Sequence, residues 1–132
     1  MKNKEIISEW LKRARSNLER ARAGKSCEEI LYEDLCFDAQ QTAEKSLKAL
    51  LVKLNKPFPK THSIGSLLKL IEEISIEIPG DVNQSKILTD YAVDTRYPGM
   101  YEAVSEDEYK EALKLAEDVY KWTTKMIMLD QE

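Results

Sequence analysis

The chain has 132 residues, of which 42% are hydrophobic and 33% are charged, with four glycines and four prolines. This size and composition predict a single helix-rich domain over residues 1–132, and they exclude an all-β or a largely disordered protein. The formal net charge of −4 argues against a strong nucleic-acid binder. Lys and Arg nevertheless outnumber Glu within residues 1–25, which indicates either a well-solvated helix or a surface that steers an anion or an acidic partner.

Nothing in the composition predicts a membrane or secreted protein. No apolar run approaches the roughly 18 residues that a membrane span requires. The opening residues lack the apolar core of a secretory leader, and Cys27 and Cys36 are too few for a disulfide framework. We therefore expect a cytoplasmic protein.

The first two predicted helices take up the N-terminal half of the chain. Apolar residues recur at helical spacing over residues 3–23, and Gly24 follows, as glycine often does after a helix. The second helix is the longest, at about residues 28–55, and Pro57 and Pro59 follow it. These two helices are expected to pack against each other through their apolar sides.

A shorter helix and an extended segment are predicted next. Ser63 is the expected N-cap of a third helix at about residues 64–74. The alternating isoleucines Ile74, Ile76 and Ile78 then indicate extended chain that packs against the bundle, because a lone strand would have no partner here.

Two capping-box patterns mark the remaining helices. Asp81 with Gln84 predicts the start of a fourth helix at about residues 82–95. Pro98 then interrupts the helical pattern, and Ser105 with Glu108 predicts the start of a fifth. The expected fold is therefore all-α, a single up-and-down bundle of about five helices.

The second helix carries a polar arc that is a candidate binding surface. Its members Gln41, Glu44, Lys45 and Lys48 fall within roughly 100° of one another, opposite the apolar stripe. One interpretation is a solvated, salt-bridged face. However, Phe37 and Val52 project to the same arc, which favours contact with a second copy of the chain or with a ligand groove.

His62, the only histidine, precedes the third helix, where backbone N–H groups favour anions. It either contributes to an anion site with Lys60 or organises the turn with Thr61. Arg96 stands where the helical pattern breaks, before Tyr97. Its planar guanidinium group either binds a phosphate or carboxylate, or it pairs with a nearby acidic residue and so stabilises the break in the helix.

No motif predicts a cofactor or a metal ion. The four glycines are isolated, so a Gly-rich phosphate loop is absent from the sequence. One histidine and two scattered cysteines do not have the spacing of a zinc site. The carboxylate runs are typical of helix surfaces and of helix N-termini.

Four blocks in this order, "FDAQQTAEKSLKALL", "PKTHSI", "YAVDTRYPG" and "AEDVYKWT", resemble the HEPN domain family (higher eukaryotes and prokaryotes nucleotide-binding). The resemblance implies a small helical bundle, similar to the substrate-binding domain that accompanies minimal nucleotidyltransferases. It also implies a homodimer, and several members of the family are toxin components or RNA-cleaving modules. The dimer contacts would then involve Phe37 and Val52.

The ribonuclease motif of the family, Arg followed after four to six residues by His, is incomplete. Arg96 matches the Arg, but residues 101–103 are Tyr, Glu and Ala. Because general acid–base cleavage of RNA usually uses His, this departure argues against an enzyme.

We therefore expect a nucleotide- or nucleic-acid-binding module that acts with a separately encoded minimal nucleotidyltransferase-type partner, as in toxin–antitoxin systems. The expected nucleotide-binding residues are Gln41, Glu44, Lys45, Lys48, His62, Arg96 and Tyr97. The alternatives are a metal-independent endoribonuclease toxin, with Arg96 as a catalytic residue, and a structural homodimer without a ligand.

Overall fold

The computed structural model of the protein describes residues 2–92 and 102–129. Within them the secondary structure is entirely helical, which confirms the all-α prediction. The elements are α1 (Lys2–Ala23), α2 (Tyr32–Lys53), α3 (Ile64–Glu72), α4 (Gly80–Asn83), a 3-10 helix (Gln84–Ala92) and α5 (Glu106–Met128). Among these described elements, no helix is long and apolar enough to cross a membrane.

The helix α2 lies at the centre of the bundle. It packs against α1 and α5 along its length, and against α3 and the 3-10 helix on a further side. Most of its side chains are therefore buried. Its leucines Leu47, Leu50 and Leu51 are fully enclosed, and they share one core with Ile64 of α3 and Val119 of α5.

The start of α2 differs from the prediction by about four residues. Residues 26–30 form turns, in which the Ser26 amide donates to the Gly24 carbonyl (3.0 Å) and the Ile30 amide to the Cys27 carbonyl (3.2 Å). The helix begins only after Leu31, whose extended backbone places it at the N-cap position. These bonds pair part of the backbone of residues 24–30 within turns instead of within a helix.

The prediction of the fourth helix is wrong in the type of helix and in the residue at its N-cap. Pro79 is the N-cap residue, and Asp81 lies inside the first turn, where its carboxylate accepts from the Val82 amide (3.0 Å). After Asn83 the chain continues as a 3-10 helix. The buried Ser85 hydroxyl donates to the Val82 carbonyl (2.6 Å), a local bond that competes with α-helical pairing. Residues 93–95 of the prediction lie outside the described residues.

The predicted caps of α3 and α5 are confirmed. Ser63 caps α3 by accepting from the Ser66 amide (3.1 Å). At α5, the Ser105 hydroxyl accepts from the Glu108 amide, and the Glu108 carboxylate accepts from the Ser105 amide, both at 3.1 Å. Between α3 and α4, Ile76 and Ile78 pack against the core as part of a non-helical segment, as expected, whereas Ile74 lies in the turn that follows α3 and is 39% exposed.

A tyrosine joins three helices at one end of the bundle. The Tyr109 hydroxyl of α5 donates to the Ala21 carbonyl near the end of α1 (2.5 Å), and its ring stacks on Tyr32 at the start of α2, with ring centroids 5.3 Å apart. Burial raises the pKa of Tyr109. The C-terminal end of α1 is thereby held beside the N-terminal end of α2.

Candidate functional site

The polar arc of α2 lies between α1 and the segment that connects α2 to α3. It is not a uniformly solvated face. The side chains of Glu44 and Lys48 are only 4% and 8% exposed, whereas Gln41 and Lys45 are half-buried. The arc thus divides into a covered pair and an accessible pair.

The covered pair belongs to a network centred on Glu44. One carboxylate oxygen accepts from the Lys48 ammonium at 2.8 Å. The other accepts from the Gln40 side-chain amide at 3.1 Å and lies 3.0 Å from Nδ1 of His62. The Gln41 amide lies 3.4 Å from that second oxygen and donates to Gln40 at 2.7 Å. Buried carboxylates are stable only when they are satisfied in this way.

These partners keep Glu44 ionised. Burial alone would raise the pKa of Glu44, but hydrogen bonds from Lys48, Gln40 and His62, together with the charge of Lys48, outweigh it. They hold the pKa of Glu44 below its ordinary value. The carboxylate is therefore a permanent acceptor at neutral pH.

Two aromatic rings cover Lys48. Its ammonium nitrogen lies 5.4 Å from the ring centroid of Trp10 in α1 and 5.9 Å from that of Phe58 in the α2–α3 connection. Both distances are within the range of cation–π attraction. Trp10 and Phe58 therefore close the arc at this end, and Glu44 and Lys48 form a structural ion pair.

His62 is fixed at two points yet remains accessible. Its backbone carbonyl accepts from the Gln40 side chain at 3.1 Å, and its side chain is 64% exposed. Because an ionised carboxylate can only accept, Nδ1 must donate to Glu44. Nε2 is then the ring nitrogen left for a further partner.

The backbone at the start of α3 is largely occupied. The amides of Ser63 and Ile64 donate to the hydroxyls of Thr61 (3.0 Å) and Thr89 (3.1 Å), and the Ser66 amide donates to Ser63 (3.1 Å). Thr61 thus organises the turn. Any anion bound here must rely on side chains rather than on these three N–H groups.

A second polar network connects Lys45, one of the accessible pair, to α1. The Lys45 ammonium donates to the Asn17 carbonyl oxygen at 2.7 Å, and the Asn17 amide donates to Asp38 at 2.9 Å. The guanidinium of Arg20 lies 3.4 Å from the other oxygen of Asp38, whose side chain is 4% exposed. Burial lowers the pKa of Lys45. This network fixes Lys45 at the seam between the two helices.

Phe37 and Val52 occupy different environments. Phe37 is 42% exposed, one helical turn before Gln41, whereas Val52 is half-buried. The dimer contact expected at these two residues stays a prediction. Arg96 and Tyr97 lie outside the described residues.

Most guanidinium groups of α1 are engaged in ion pairs. Arg13 pairs with Glu9 (2.8 Å) and Arg15 with Glu19 (2.7 Å) within the helix, and Arg22 reaches Glu117 of α5 (2.8 Å). Such exposed pairs contribute little to stability. They are consistent with the solvated interpretation of this basic helix.

Sequence reasoning missed several members of the two networks. The missed residues are Trp10, Asn17, Arg20, Asp38, Gln40 and Phe58. Trp10 carried a usable signal, since it lies on the apolar side of α1. Asn17 lies beside the small residues of that same side, and this placement could have indicated a polar contact with α2. Within the described residues, no group of three His, Cys, Asp or Glu could hold a metal ion.

Comparison with known proteins identifies the family. A model of the HEPN domain matches residues 7–127. The chain is similar to an archaeal HEPN homologue of known crystal structure, with 30% sequence identity and a TM-score of 0.72, over 92% of this chain and 97% of that one. A protein of known structure from Thermus thermophilus is equally similar, with 30% identity and a TM-score of 0.72, over 91% of this chain and 97% of that one.

No curated protein matches the chain. The family match nevertheless covers most of the sequence, and the fold agrees with that of the archaeal homologue over nearly all of both chains. The chain belongs to the HEPN domain family, and it is a nucleotide- or RNA-related helical module.

Proposed function

We propose that the chain binds a nucleotide or a single-stranded nucleic acid along the seam between α1 and α2. The observation that carries the proposal is a trio of accessible polar side chains, Gln41, Lys45 and His62, each held by a partner inside the protein. Gln41 donates to Gln40, Lys45 to Asn17 and His62 to Glu44. Side chains fixed in advance lose less conformational entropy when a ligand binds.

The three side chains offer complementary chemistry. The ammonium of Lys45 attracts phosphate. The ring of His62 offers Nε2, which accepts from a sugar hydroxyl when neutral and donates to phosphate when protonated. The Gln41 amide nitrogen is directed to Gln40 and Glu44, so its carbonyl oxygen can accept from a base or from a sugar. Glu44 and Lys48, which were also expected to touch the nucleotide, act in this proposal by positioning His62 and closing the seam.

The proposal is tested by titrating mononucleotides and a short single-stranded RNA into the protein. Wild-type binding should weaken as salt rises, because phosphate contacts release counterions. The double variant Gln41→Ala/Lys45→Ala should bind more weakly, as measured at a temperature at which it is fully folded. Lys114→Ala is the matched control, since Lys114 is an exposed lysine on α5 that pairs with Asp118 (2.9 Å). Equal affinity in the double variant and the control would overturn the proposal.

The proposed partner is a separately encoded minimal nucleotidyltransferase-type protein, in a toxin–antitoxin-like arrangement. What supports it is the resemblance of the four sequence blocks to HEPN modules that accompany such enzymes. The test is co-expression with the product of an adjacent reading frame of that type, followed by co-purification. Failure of the two proteins to associate would remove this part of the proposal and leave nucleotide binding intact.

A metal-independent endoribonuclease is the second candidate, and one observation favours it. The pair of His62 with the ionised Glu44 has the geometry of a carboxylate-oriented general base, with Nε2 free to take a proton from a ribose 2′-hydroxyl. RNA cleavage that persists with a chelator and is lost in His62→Ala would establish this function. Intact RNA after prolonged incubation with wild-type protein would reject it.

A further inference from the structure

A groove opens at the end of the seam opposite to Trp10 and Phe58. It lies between the C-terminal end of α1, the turns that follow it and the first turns of α2, and its volume is about 380 Å³. Arg20, Asp34, Phe37 and Asp38 line it, together with the apolar side chain of Ile30. An aromatic ring, a guanidinium and two carboxylates therefore converge on one cavity.

Phe37 is the aromatic wall of this groove. It is 42% exposed on a helix whose other residues are mostly buried. An exposed aromatic ring beside a cavity offers a flat surface on which a nucleobase can stack, and such stacking tolerates every base.

The buried carboxylate of Asp38 positions Arg20. Asp38 is 3% exposed as a residue, and it holds both the Asn17 amide (2.9 Å) and the Arg20 guanidinium (3.4 Å). The rest of the Arg20 side chain is exposed, so its planar group is available at the rim of the groove. Guanidinium planes stack on bases and also bind phosphates.

Asp34 supplies an accessible acceptor. It is exposed, and it stands one turn before Asp38 on the same helix. A carboxylate with two oxygens matches two adjacent N–H donors. Guanine presents such a pair on its Watson–Crick edge, whereas uracil presents one N–H between two carbonyl oxygens.

The groove is linked to the proposed binding seam through Asp38, which lines it and accepts from Asn17 (2.9 Å), the residue that holds Lys45 (2.7 Å). Phe37, Gln41 and Lys45 are spaced four residues apart on α2, which places successive side chains about 6 Å apart along the helix axis. A base at Phe37 would thus put its sugar and phosphate toward Gln41 and Lys45.

We propose that this groove is a nucleobase pocket selective for guanine, with Phe37 as the stacking surface, Arg20 at the rim and Asp34 as the acceptor of the base edge. This proposal rests on the proposed nucleotide-binding function. It places the base of the ligand at Phe37 and the phosphate toward Lys45. It also assigns Phe37 to a ligand rather than to a second copy of the chain.

The test is calorimetric titration of GMP, AMP, CMP and UMP into five proteins: the wild type, Phe37→Ala, Phe37→Tyr, Asp34→Asn and the control Leu31→Ala. Wild type should bind GMP about 5- to 150-fold more tightly than UMP, the range expected for a bidentate base contact. Phe37→Ala should weaken the binding of all four nucleotides by a similar factor, and Phe37→Tyr, which keeps an aromatic ring, should recover most of that loss. Asp34→Asn should lose the preference for GMP and keep its affinity for UMP. Leu31→Ala is the control, because Leu31 is exposed nearby (55%) and does not line the groove.

Equal affinities of wild type for all four nucleotides, or unchanged binding in Phe37→Ala, would overturn the pocket. If Phe37→Ala instead shifts a dimer to a monomer by sedimentation and leaves nucleotide affinity unchanged, the face belongs to a second copy and the pocket is rejected. Nucleotide binding that depends on Lys45 and not on Phe37 would reject the pocket alone. The absence of any nucleotide or RNA binding would reject the proposed function as well.

Discussion

The two ends of the seam between α1 and α2 carry similar residues, but these residues differ in how far other side chains cover them. At one end, Trp10 and Phe58 cover Lys48, whose ammonium pairs with the buried Glu44 at 2.8 Å. At the other end, no described aromatic ring covers Lys45, and Phe37 is itself exposed. What surrounds a lysine, rather than its place on the helical wheel, decides whether it supports the fold or is available to a ligand.

The largest expected effect is at the covered end. Replacing Lys48 by Ala, or Glu44 by Ala, leaves the other charge buried without its partner, which typically costs about 3–5 kcal/mol of unfolding free energy. Chemical denaturation should show this loss for both variants. Lys114→Ala, which breaks an exposed pair of the same i,i+4 spacing, should leave stability unchanged. Equal stabilities of Lys48→Ala and Lys114→Ala would show that the two ends do not differ.

The next effect concerns Arg96, which the sequence predicts to bind an anion. Loss of a charge-assisted hydrogen bond to phosphate costs about 1.5–3 kcal/mol, or roughly a 10- to 150-fold loss of affinity. Arg96→Ala should show this loss in nucleotide titrations. Arg96→Lys should recover little, because a point charge cannot reproduce the planar fork. A lower melting temperature with unchanged binding would instead assign Arg96 to the scaffold.

Acid should destabilise the covered end by protonating Glu44. Because the pKa of Glu44 is lowered in the folded protein, its contribution to stability is complete above the unfolded carboxyl pKa of about 4.3. That contribution is lost as the pH falls from there through the folded pKa. The melting temperature of wild type should therefore fall more steeply below about pH 4 than that of Glu44→Gln. Parallel pH profiles of the two proteins would contradict the ionised state of Glu44.

The smallest effect is expected from Gln41, which lies at the open end between Phe37 and Lys45 on α2. A hydrogen bond that its carbonyl oxygen accepts from a ligand contributes about 0.5–1.5 kcal/mol, so Gln41→Ala should weaken nucleotide binding by about 2- to 10-fold. The same variant should also lower the melting temperature slightly, because the buried carbonyl oxygen of Gln40 loses the donor that Gln41 supplies at 2.7 Å. Unchanged affinity in this variant would limit the role of Gln41 to the covered network.

Hydrophobic periodicity and capping chemistry were sufficient to predict α1, the centre of α2, and the start of α5 at Ser105. They failed at residues 80–92, where Ser85 bonds locally to the Val82 carbonyl and the chain forms a 3-10 helix. The helical wheel of α2 also identified the polar arc. It could not separate Lys45 from Lys48, because the coverage of Lys48 depends on Trp10, 38 residues earlier in the chain, and on Phe58 beyond the end of the helix.

The central claim is that ligand binds at the open end of the seam while the covered end supports the fold. The most direct measurement is a titration of GMP followed by amide chemical shifts of the ¹⁵N-labelled protein. The account predicts saturable shifts at Arg20, Phe37, Gln41 and Lys45, with little change at Glu72 at the end of α3. Shifts confined to other surfaces, or none that saturate, would contradict it.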